Sequence, residues 1–215
     1  MTEIPTTIKN EKLVQKRREQ IVLAAIKLFS EKGFHKATLR DLSKEARISH
    51  GNIYDYIGSK EDILFLIHEF MADLADNMLN DVMRSVVDPV EKLRQMVRSE
   101  FNLMYQWADA ILLIYQETHI LSKDPLERLL KRERDHIAKY ELVLEECIEQ
   151  GAFREFNIRI VANLIKMMID SWVLKRWDLR GYANRLEMER YILDLVFNGL
   201  LMEKGIFVVK PCEDS

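Results

Sequence analysis

The sequence contains few residues that break helices and few that form disulfides. Its 215 residues include seven glycines, four prolines and two cysteines. Leu, Ile, Met, Glu, Lys and Arg are abundant instead, and this composition favours an all-α protein. Two cysteines, Cys147 and Cys212, exclude a disulfide-dense scaffold and indicate the reducing cytoplasm.

Long hydrophobic runs are also missing. No stretch approaches the roughly 18 apolar residues of a membrane-spanning helix. The N-terminal segment MTEIPTTIKNEKLVQKRREQ has no apolar core of signal-peptide length. We therefore expect no membrane partner and a cytoplasmic location. The chain is long enough to bury a hydrophobic core without metals or disulfides.

Motifs of enzymes and metal centres are missing as well. The chain has no P-loop, no glycine-rich dinucleotide loop, no nucleophile elbow and no HExxH sequence. The five histidines are scattered without the spacing of metal ligands: His35, His50, His68, His119 and His136. The sequence predicts neither an enzyme nor a metal site, and no cofactor.

Acidic residues are in the minority only at the start of the chain. Residues 1–60 carry 12 Lys and Arg against 7 Asp and Glu, whereas residues 61–215 carry 20 against 28. A basic N-terminal part on an acidic body is typical of a small DNA-binding head joined to a larger dimerising body. Chance clustering of charge is the alternative.

Helix-start and helix-stop residues divide the chain into about nine helices. Thr38, Ser49 and Ser59 are predicted N-caps, and Pro89 and Pro125 each open a helix after an aspartate. The predicted helices cover approximately 11–32, 39–46, 50–56, 60–83, 89–106, 107–121, 125–150, 158–180 and 185–204. We assign residues 1–10 to a flexible arm, 11–58 to an N-terminal domain and 59–210 to a C-terminal domain.

The stretch LSKEARISHGNIYDYIGSKEDIL, from Leu42 to Leu64, contains two short helices joined by a tight turn. This pattern is typical of a helix-turn-helix, whose second helix enters the major groove of DNA. Gly51 permits close approach, and His50 and Asn52 can reach base edges, where asparagine suits adenine. The alternative is that these are cap and surface residues of an ordinary helical bundle.

Other residues near this turn can contact the phosphate backbone. One or both of the hydroxyls of Tyr54 and Tyr56 can reach phosphate oxygens, because Ile53 and Ile57 take the inward positions. Thr38 and Lys60 lie at helix starts, where free N–H groups favour an anion. These side chains therefore extend the predicted DNA-binding surface.

A family resemblance covers the segment from Arg17 to Ile67. It closely resembles the N-terminal domain of the tetracycline-repressor (TetR) family of bacterial transcription regulators, and it reads RREQIVLAAIKLFSEKGFHKATLRDLSKEARISHGNIYDYIGSKEDILFLI. By position, the resemblance assigns DNA contacts to Thr38, Ser49, His50, Gly51, Asn52, Tyr54, Tyr56 and Lys60. Arg47 stands where the family usually has a glycine or a small residue, and Ile57 where it usually has an aromatic one. Arg47 is expected to add a contact with the DNA backbone.

The resemblance also implies a homodimer and a C-terminal domain that binds a small effector. The last two helices are expected to pair in the dimer, and the final one is too apolar for a free surface helix. Packing within the chain is the alternative, and different faces can serve both. Middle helices rich in aromatic residues and methionine suit an apolar pocket. The candidate effector-binding residues are Phe101, Met104, Tyr105, Tyr115, His119, Met168, Trp172 and Arg176. A packed core is the alternative for each of them.

The segment SWVLKRWDLRG places cations beside two tryptophans. Such a site would suit a fatty acid or an acyl-coenzyme A. An aromatic effector, or cations that merely oppose a helix dipole, are the alternatives. The sequence therefore predicts a repressor that a small hydrophobic effector releases from a palindromic DNA operator. The alternative is a helical protein–protein adaptor, which would have no need for Gly51 and Asn52 on its surface.

Overall fold

The computed structural model describes residues 4, 6 and 8–200, and within these ranges it is helical with no β-strand. This confirms the predicted all-α class. Three helices form the N-terminal head: α1 Glu11–Lys32, α2 Leu39–Glu45 and α3 His50–Ile53. The body follows with α4 Lys60–Ser85, α5 Pro89–Gln106, α6 Ala108–Glu117, a 3-10 turn Thr118–Ile120, α7 Lys123–Glu149, α8 Ile158–Leu174, α9 Arg176–Leu179 and α10 Arg185–Leu200.

The predicted N-caps Thr38, Ser49 and Ser59 are confirmed by their hydrogen bonds, since each side chain accepts from the backbone N–H three residues on. Asp88 and Asn157 cap their helices in the same way. Thr38 and Ser59 form full capping boxes, in which the aspartate three residues on accepts from the cap's own N–H. These local bonds set where α2 and α4 begin.

The end of α3 and the start of α7 differ from the prediction. Helix α3 ends at Ile53. Helix α7 begins at Lys123, because the Leu126 N–H donates to the Ser122 carbonyl. Pro125 thus occupies the third helical position, where its missing N–H would have no partner inside the helix.

The segment predicted as one helix from 158 to 180 is two. The Lys175 N–H still donates to the Ser171 carbonyl at 2.8 Å. The backbone of Lys175, with φ −112° and ψ 12°, then leaves the helical range and separates α8 from α9. Likewise, the segment from 107 to 121 ends in the 3-10 turn. Residues 201–210 of the predicted C-terminal domain lie outside the described residues.

A small core holds the head together. Helix α1 packs against α2 and α4, and Ile21, Leu42, Ile53 and Ile57 are fully buried between them. Ile57 therefore fills the apolar role expected of it. In the segment predicted as a flexible arm, Ile4 is also buried, and its carbonyl accepts a 2.6 Å bond from the Arg18 guanidinium.

The body core lies among α4, α5, α7 and α8, which pack against one another. Its fully buried side chains include Leu79, Phe101, Tyr140 and Ile169. Helix α10 covers α5 and α8. Helix α4 is long enough to pack on both α1 in the head and α5 and α7 in the body, so it joins the two halves.

We predict that Ser59→Ala destabilises the protein by about 1 kcal/mol, because it removes the N-cap of α4. Urea unfolding at fixed protein concentration measures the change. Ser85→Ala, at the other end of the same helix, is the matched control and should change the free energy of unfolding by less than about 0.5 kcal/mol. Equal losses of unfolding free energy in Ser59→Ala and Ser85→Ala would show that the N-cap of α4 stabilises the protein no more than an ordinary surface serine does.

Candidate functional site

The turn between α2 and α3 has an unusual backbone. The Ile48 N–H donates to the Ser43 carbonyl at 2.9 Å, and the Arg47 N–H donates to the Lys44 carbonyl at 3.1 Å. These two bonds form a Schellman motif, whose central residue must be left-handed and is usually glycine. Here that residue is Arg47, with φ 53°. A non-glycine residue in this conformation costs roughly 1–2 kcal/mol.

The same motif recurs at the end of α7 with the usual residue. There the Gly151 N–H donates to Ile148 at 2.9 Å, and the Ala152 N–H donates to Cys147 at 3.0 Å. Gly151 has φ 70°. The chain thus places glycine at one such position and arginine at the other, beside the predicted recognition helix.

The predicted DNA-binding residues lie mostly on one open surface of the head. Seven of the nine are exposed: Thr38, Arg47, Ser49, His50, Gly51, Asn52 and Tyr54. A side chain added at Gly51 would meet no atom within 4 Å. The head's own packing therefore does not require glycine at this position.

Helix α3 presents its polar groups outward. Tyr54 is 50% exposed, and its ring packs edge-on against His50 with centroids 5.5 Å apart. The Asn52 side chain forms no hydrogen bond with any other described residue. Its amide is therefore available to a base edge.

Tyr56 and Lys60 lie differently from the other predicted contacts. Tyr56 is only 7% exposed, because α3 ends at Ile53 and the chain then folds back onto the head core. The Lys60 ammonium lies 4.4 Å from the Phe34 ring centroid and donates to the His35 carbonyl at 3.3 Å. Burial in this position lowers the pKa of Lys60. Both side chains would have to reorient to contact a phosphate fully.

A cavity of about 370 Å³ lies in the body, with walls from α4, α5, α6, α7, α8 and the 3-10 turn. Helix α4 alone contributes His68, Met71, Ala72, Ala75 and Asp76. Six of the other thirteen lining residues are apolar: Met104, Ile111, Ile114, Leu126, Leu129 and Leu130. Leu130 is 60% exposed, so the cavity reaches the surface beside it. The volume is near the small end of the ~300–1,000 Å³ range of ligand pockets.

Two of the eight predicted effector-binding residues line this cavity, Met104 and Tyr115. The other six do not: Phe101, Tyr105, His119, Met168, Trp172 and Arg176. Phe101 is fully buried in the core, and Tyr105 stacks on Trp172 with ring centroids 5.4 Å apart. Arg176 pairs with Asp109 at 2.7 Å. The cations of SWVLKRWDLRG therefore do not form a mouth for the cavity.

A buried ionic network forms one wall of the cavity, and the sequence reasoning missed it. Glu100 is 0% exposed, and the His136 Nε2 lies 3.0 Å from both of its carboxylate oxygens. The Tyr140 hydroxyl donates to Glu100 at 2.5 Å. Lys166 lies 3.4 Å from Glu100 and donates to both oxygens of Asp170, at 2.6 and 2.7 Å.

The sequence did carry a signal for this network. Glu100 lies four residues from both Met96 and Met104, on the buried face of α5. Lys166 and Asp170 interrupt the apolar stretch of α8 four residues apart. A charged residue at an apolar-stripe position is a candidate for a buried site.

The network's charges stabilise one another. Burial alone would raise the pKa of Glu100, but the nearby His136 and Lys166 outweigh it and lower that pKa to about 2. Burial would lower the pKa of His136, but the Glu100 carboxylate raises it above the ordinary value. The pKa of Lys166 is raised by Asp170 and Glu100, which outweigh its own burial.

A second polar group meets the cavity near the head. The Thr118 hydroxyl lies 3.0 Å from His68 Nε2, and both residues line the cavity. Burial lowers the pKa of His68 to about 4, so its imidazole is neutral at pH 7. The next residue back, Glu117, contacts His35 of the head at 3.2 Å. The cavity wall is therefore continuous with a head–body contact.

Neither a metal site nor a membrane-spanning helix is found in the described part of the chain. No three His, Cys, Asp or Glu side chains there are grouped as a metal ion would need. No helix between residues 8 and 200 is long and apolar enough to cross a membrane.

A helix-turn-helix head with an outward polar helix, joined by one helix to a body with a cavity, defines a DNA-binding protein of the helix-turn-helix class. The model of bacterial regulatory proteins of the tetR family matches residues 21–67, and the model of the tetracyclin repressor-like C-terminal domain matches residues 86–200. The chain belongs to the tetR family. It is a DNA-binding transcriptional regulator, not an adaptor, and proteins of this kind are dimers, as the sequence predicted.

Similar proteins agree with this assignment. The transcriptional regulator HbdR of Aromatoleum sp. (strain CIB) is 30% identical over 94% of this chain and 88% of its own length. The fatty acid metabolism regulator protein of Bacillus subtilis (strain 168) is 26% identical over 84% of this chain and 94% of its own. The crystal structure of AibR in complex with isovaleryl coenzyme A and operator DNA has a TM-score of 0.73, with 20% identity, over 84% of this chain and 98% of that one.

We predict that Glu100→Gln destabilises the protein by about 3–5 kcal/mol, because it leaves buried cations without their carboxylate. The effect should be largest between about pH 4.5 and 6.5. The Glu100 carboxyl, whose pKa is lowered to about 2 in the folded protein, contributes stability above its unfolded-state pKa. This contribution is lost as the pH falls towards about 2. A raised histidine pKa contributes stability below about 6.5, which is lost as pH rises through the folded-state pKa.

Urea unfolding across this pH range measures the difference between wild type and variant. Glu145→Gln, on the exposed face of α7, is the control and should have little effect at any pH. A loss for Glu100→Gln that does not vary with pH would contradict the ionic account of the network.

Proposed function

We propose that the protein is a repressor that binds a palindromic operator as a homodimer and is released by a small hydrophobic effector in the body cavity. The observation that carries this proposal is the course of α4. This helix begins at the Ser59 cap beside the recognition helix, and its residues 68–76 form a wall of the cavity. Occupancy of the cavity therefore acts on the element that positions the head.

The DNA contacts are proposed for the exposed surface around α3. His50 and Asn52 would meet base edges, with Gly51 leaving room for the groove wall. Thr38, Ser49 and Tyr54 would contact phosphates, which set the orientation of the head and carry no sequence information. Tyr56, Lys60 and Arg47 complete the proposed set, the first two after the reorientation described above.

The dimer is proposed to form through α8 and α10. Six large apolar side chains of these helices are more than half exposed in the single chain: Ile160, Leu164, Met167, Leu186, Tyr191 and Leu195. Val173 and Val196 of the same helices are buried in the body. One face of each helix thus fills the core and the other is left for a second copy. Two heads in such a dimer would read half-sites about 34–36 Å apart.

The effector is proposed to be a compact acyl group, carried as a coenzyme A thioester. Two similar proteins support this class, since one is a fatty acid metabolism regulator and the other was crystallised with isovaleryl coenzyme A. The apolar walls suit an acyl or aromatic-acyl group, and the small volume favours a short one. The polar side chains of Tyr115 and His68 line the same cavity.

The effector shifts an equilibrium between two arrangements of the heads. It must bind the low-affinity arrangement more tightly than the DNA-binding one, or nothing is released. In this proposal the protein catalyses no reaction and works in the cytoplasm, where a bacterial chromosome lies.

We predict that Asn52→Ala changes which base is preferred at one operator position and weakens binding to the wild-type operator by about 1–3 kcal/mol. Selection of bound duplexes from a random pool, for wild type and variant, measures the preference. Asn77→Ala, exposed on the body part of α4, is the control. An unchanged sequence preference for Asn52→Ala would contradict base reading by this residue.

We predict that Ala72→Phe makes the protein insensitive to its effector while DNA affinity is kept, because the ring fills the cavity from α4. The probes are coenzyme A thioesters from acetyl to stearoyl, benzoyl coenzyme A and coenzyme A itself. DNA release is followed by fluorescence anisotropy, with Ala183→Phe in the loop before α10 as the control. Release of wild type by none of the thioesters would refute this effector class and leave the DNA-binding proposal standing.

A further inference from the structure

Arg47 occupies a position where the backbone favours glycine. It is the one non-glycine residue with positive φ in the described part of the chain. The equivalent position at the end of α7 is Gly151, which adopts the same conformation without a Cβ. Strained residues of this kind persist where the side chain has a use, so the observed outlier motivates a search for one.

The Arg47 side chain lines a small cleft in the head. The cleft has a volume of about 150 Å³ and is lined by Arg17, Arg47, Ile48, Ser49, Asn52 and Tyr56. Its lining includes two guanidinium groups, two hydroxyls and an amide, and no carboxylate. The chemistry of the lining therefore selects an anion.

Hydrogen bonds connect Arg17 to the turn that carries Arg47. The Arg17 guanidinium donates to the Gln20 side chain at 2.8 Å. Gln20 in turn donates to the Ala46 carbonyl at 2.5 Å, one residue before Arg47. Helix α1 is thus tied to the turn, and Gln20 is a positioning residue for the cleft.

The positive charge of the cleft is not neutralised within the head. Neither Arg17 nor Arg47 forms an ion pair with a described carboxylate, although many other arginines and lysines of the structure do. Ser49 and Asn52 belong both to the cleft and to the exposed surface of α3. An anion bound in the cleft would therefore lie directly beside a recognition helix seated in DNA.

We propose that Arg17 and Arg47 together bind one backbone phosphate of operator DNA in this cleft. Arginine suits the role, because its planar fork of donors matches phosphate oxygens. The inference rests on the proposed function only in that α3 must enter the groove. Since the dimer has two heads, it binds two phosphates in this way, one at each half-site.

The salt dependence of DNA binding tests the proposal. The full-length dimer binds an operator selected from random duplexes, and affinity is measured by anisotropy between about 50 and 200 mM salt. Arg17→Gln and Arg47→Gly should each lower the affinity roughly tenfold or more on every operator sequence. The double variant should lose less than the product of the two single losses, because both arginines hold the same phosphate.

The slope of log affinity against log salt counts the phosphates. For the double variant it should fall by about 1.8, since each of two lost phosphate contacts contributes about 0.9. Arg84→Gln, which removes the same charge at the far end of α4, should leave the slope unchanged. An unchanged slope for the double variant, or fully multiplicative single losses, would overturn the shared site.

Three further readouts separate the possible failures. Arg47→Gly should not lower the Tm, because glycine adopts the left-handed conformation without strain; a lower Tm together with weaker binding would indicate a structural role and overturn the proposal. Sodium phosphate is added to the wild type and to the double variant. If it raises the Tm of the wild type only, while the two proteins bind the operator with equal affinity, the cleft is a site for free anions and the proposal is overturned. If wild type binds no duplex at all, the proposed function fails before the cleft is tested.

Discussion

Helix α4 is a single rigid element that belongs to both halves of the protein. Its first turn is fixed by the Ser59–Asp62 capping box beside the recognition helix. Its middle forms a wall of the cavity through residues 68–76. A helix of 26 residues is about 39 Å long, and a sharp kink in it would need a cause such as proline, which α4 does not contain. One continuous helix therefore connects the cavity wall to the start of the DNA-binding head.

The cavity is not a simple apolar hole, because one wall is a buried ionic network around Glu100. Taking such charges out of water is costly, and only mutual pairing with His136 and Lys166 makes it tolerable. A packed apolar wall would have been at least as stable. The network ties α5, α7 and α8 together through Glu100, His136 and Lys166.

The head shows a similar trade between stability and function. A glycine at position 47 would relieve the left-handed strain of the turn, as Gly151 does at the end of α7. The arginine instead lines a cleft of donors with Arg17. Departures from local preference are expected at functional sites. This one coincides with a departure from the usual pattern of the family.

The sequence by itself determined the helical class, the N-caps, the helix-turn-helix and the outward polar residues of α3. These features depend on neighbours within a few positions, such as Thr38 with Asp41, so they can be predicted locally. Only the tertiary structure decided that Tyr56 is buried, that Met104 and Tyr115 line the cavity while Phe101 does not, and that Glu100 meets His136. Helical spacing shows which residues turn inward, but an inward residue faces either core or cavity according to the helices packed against it.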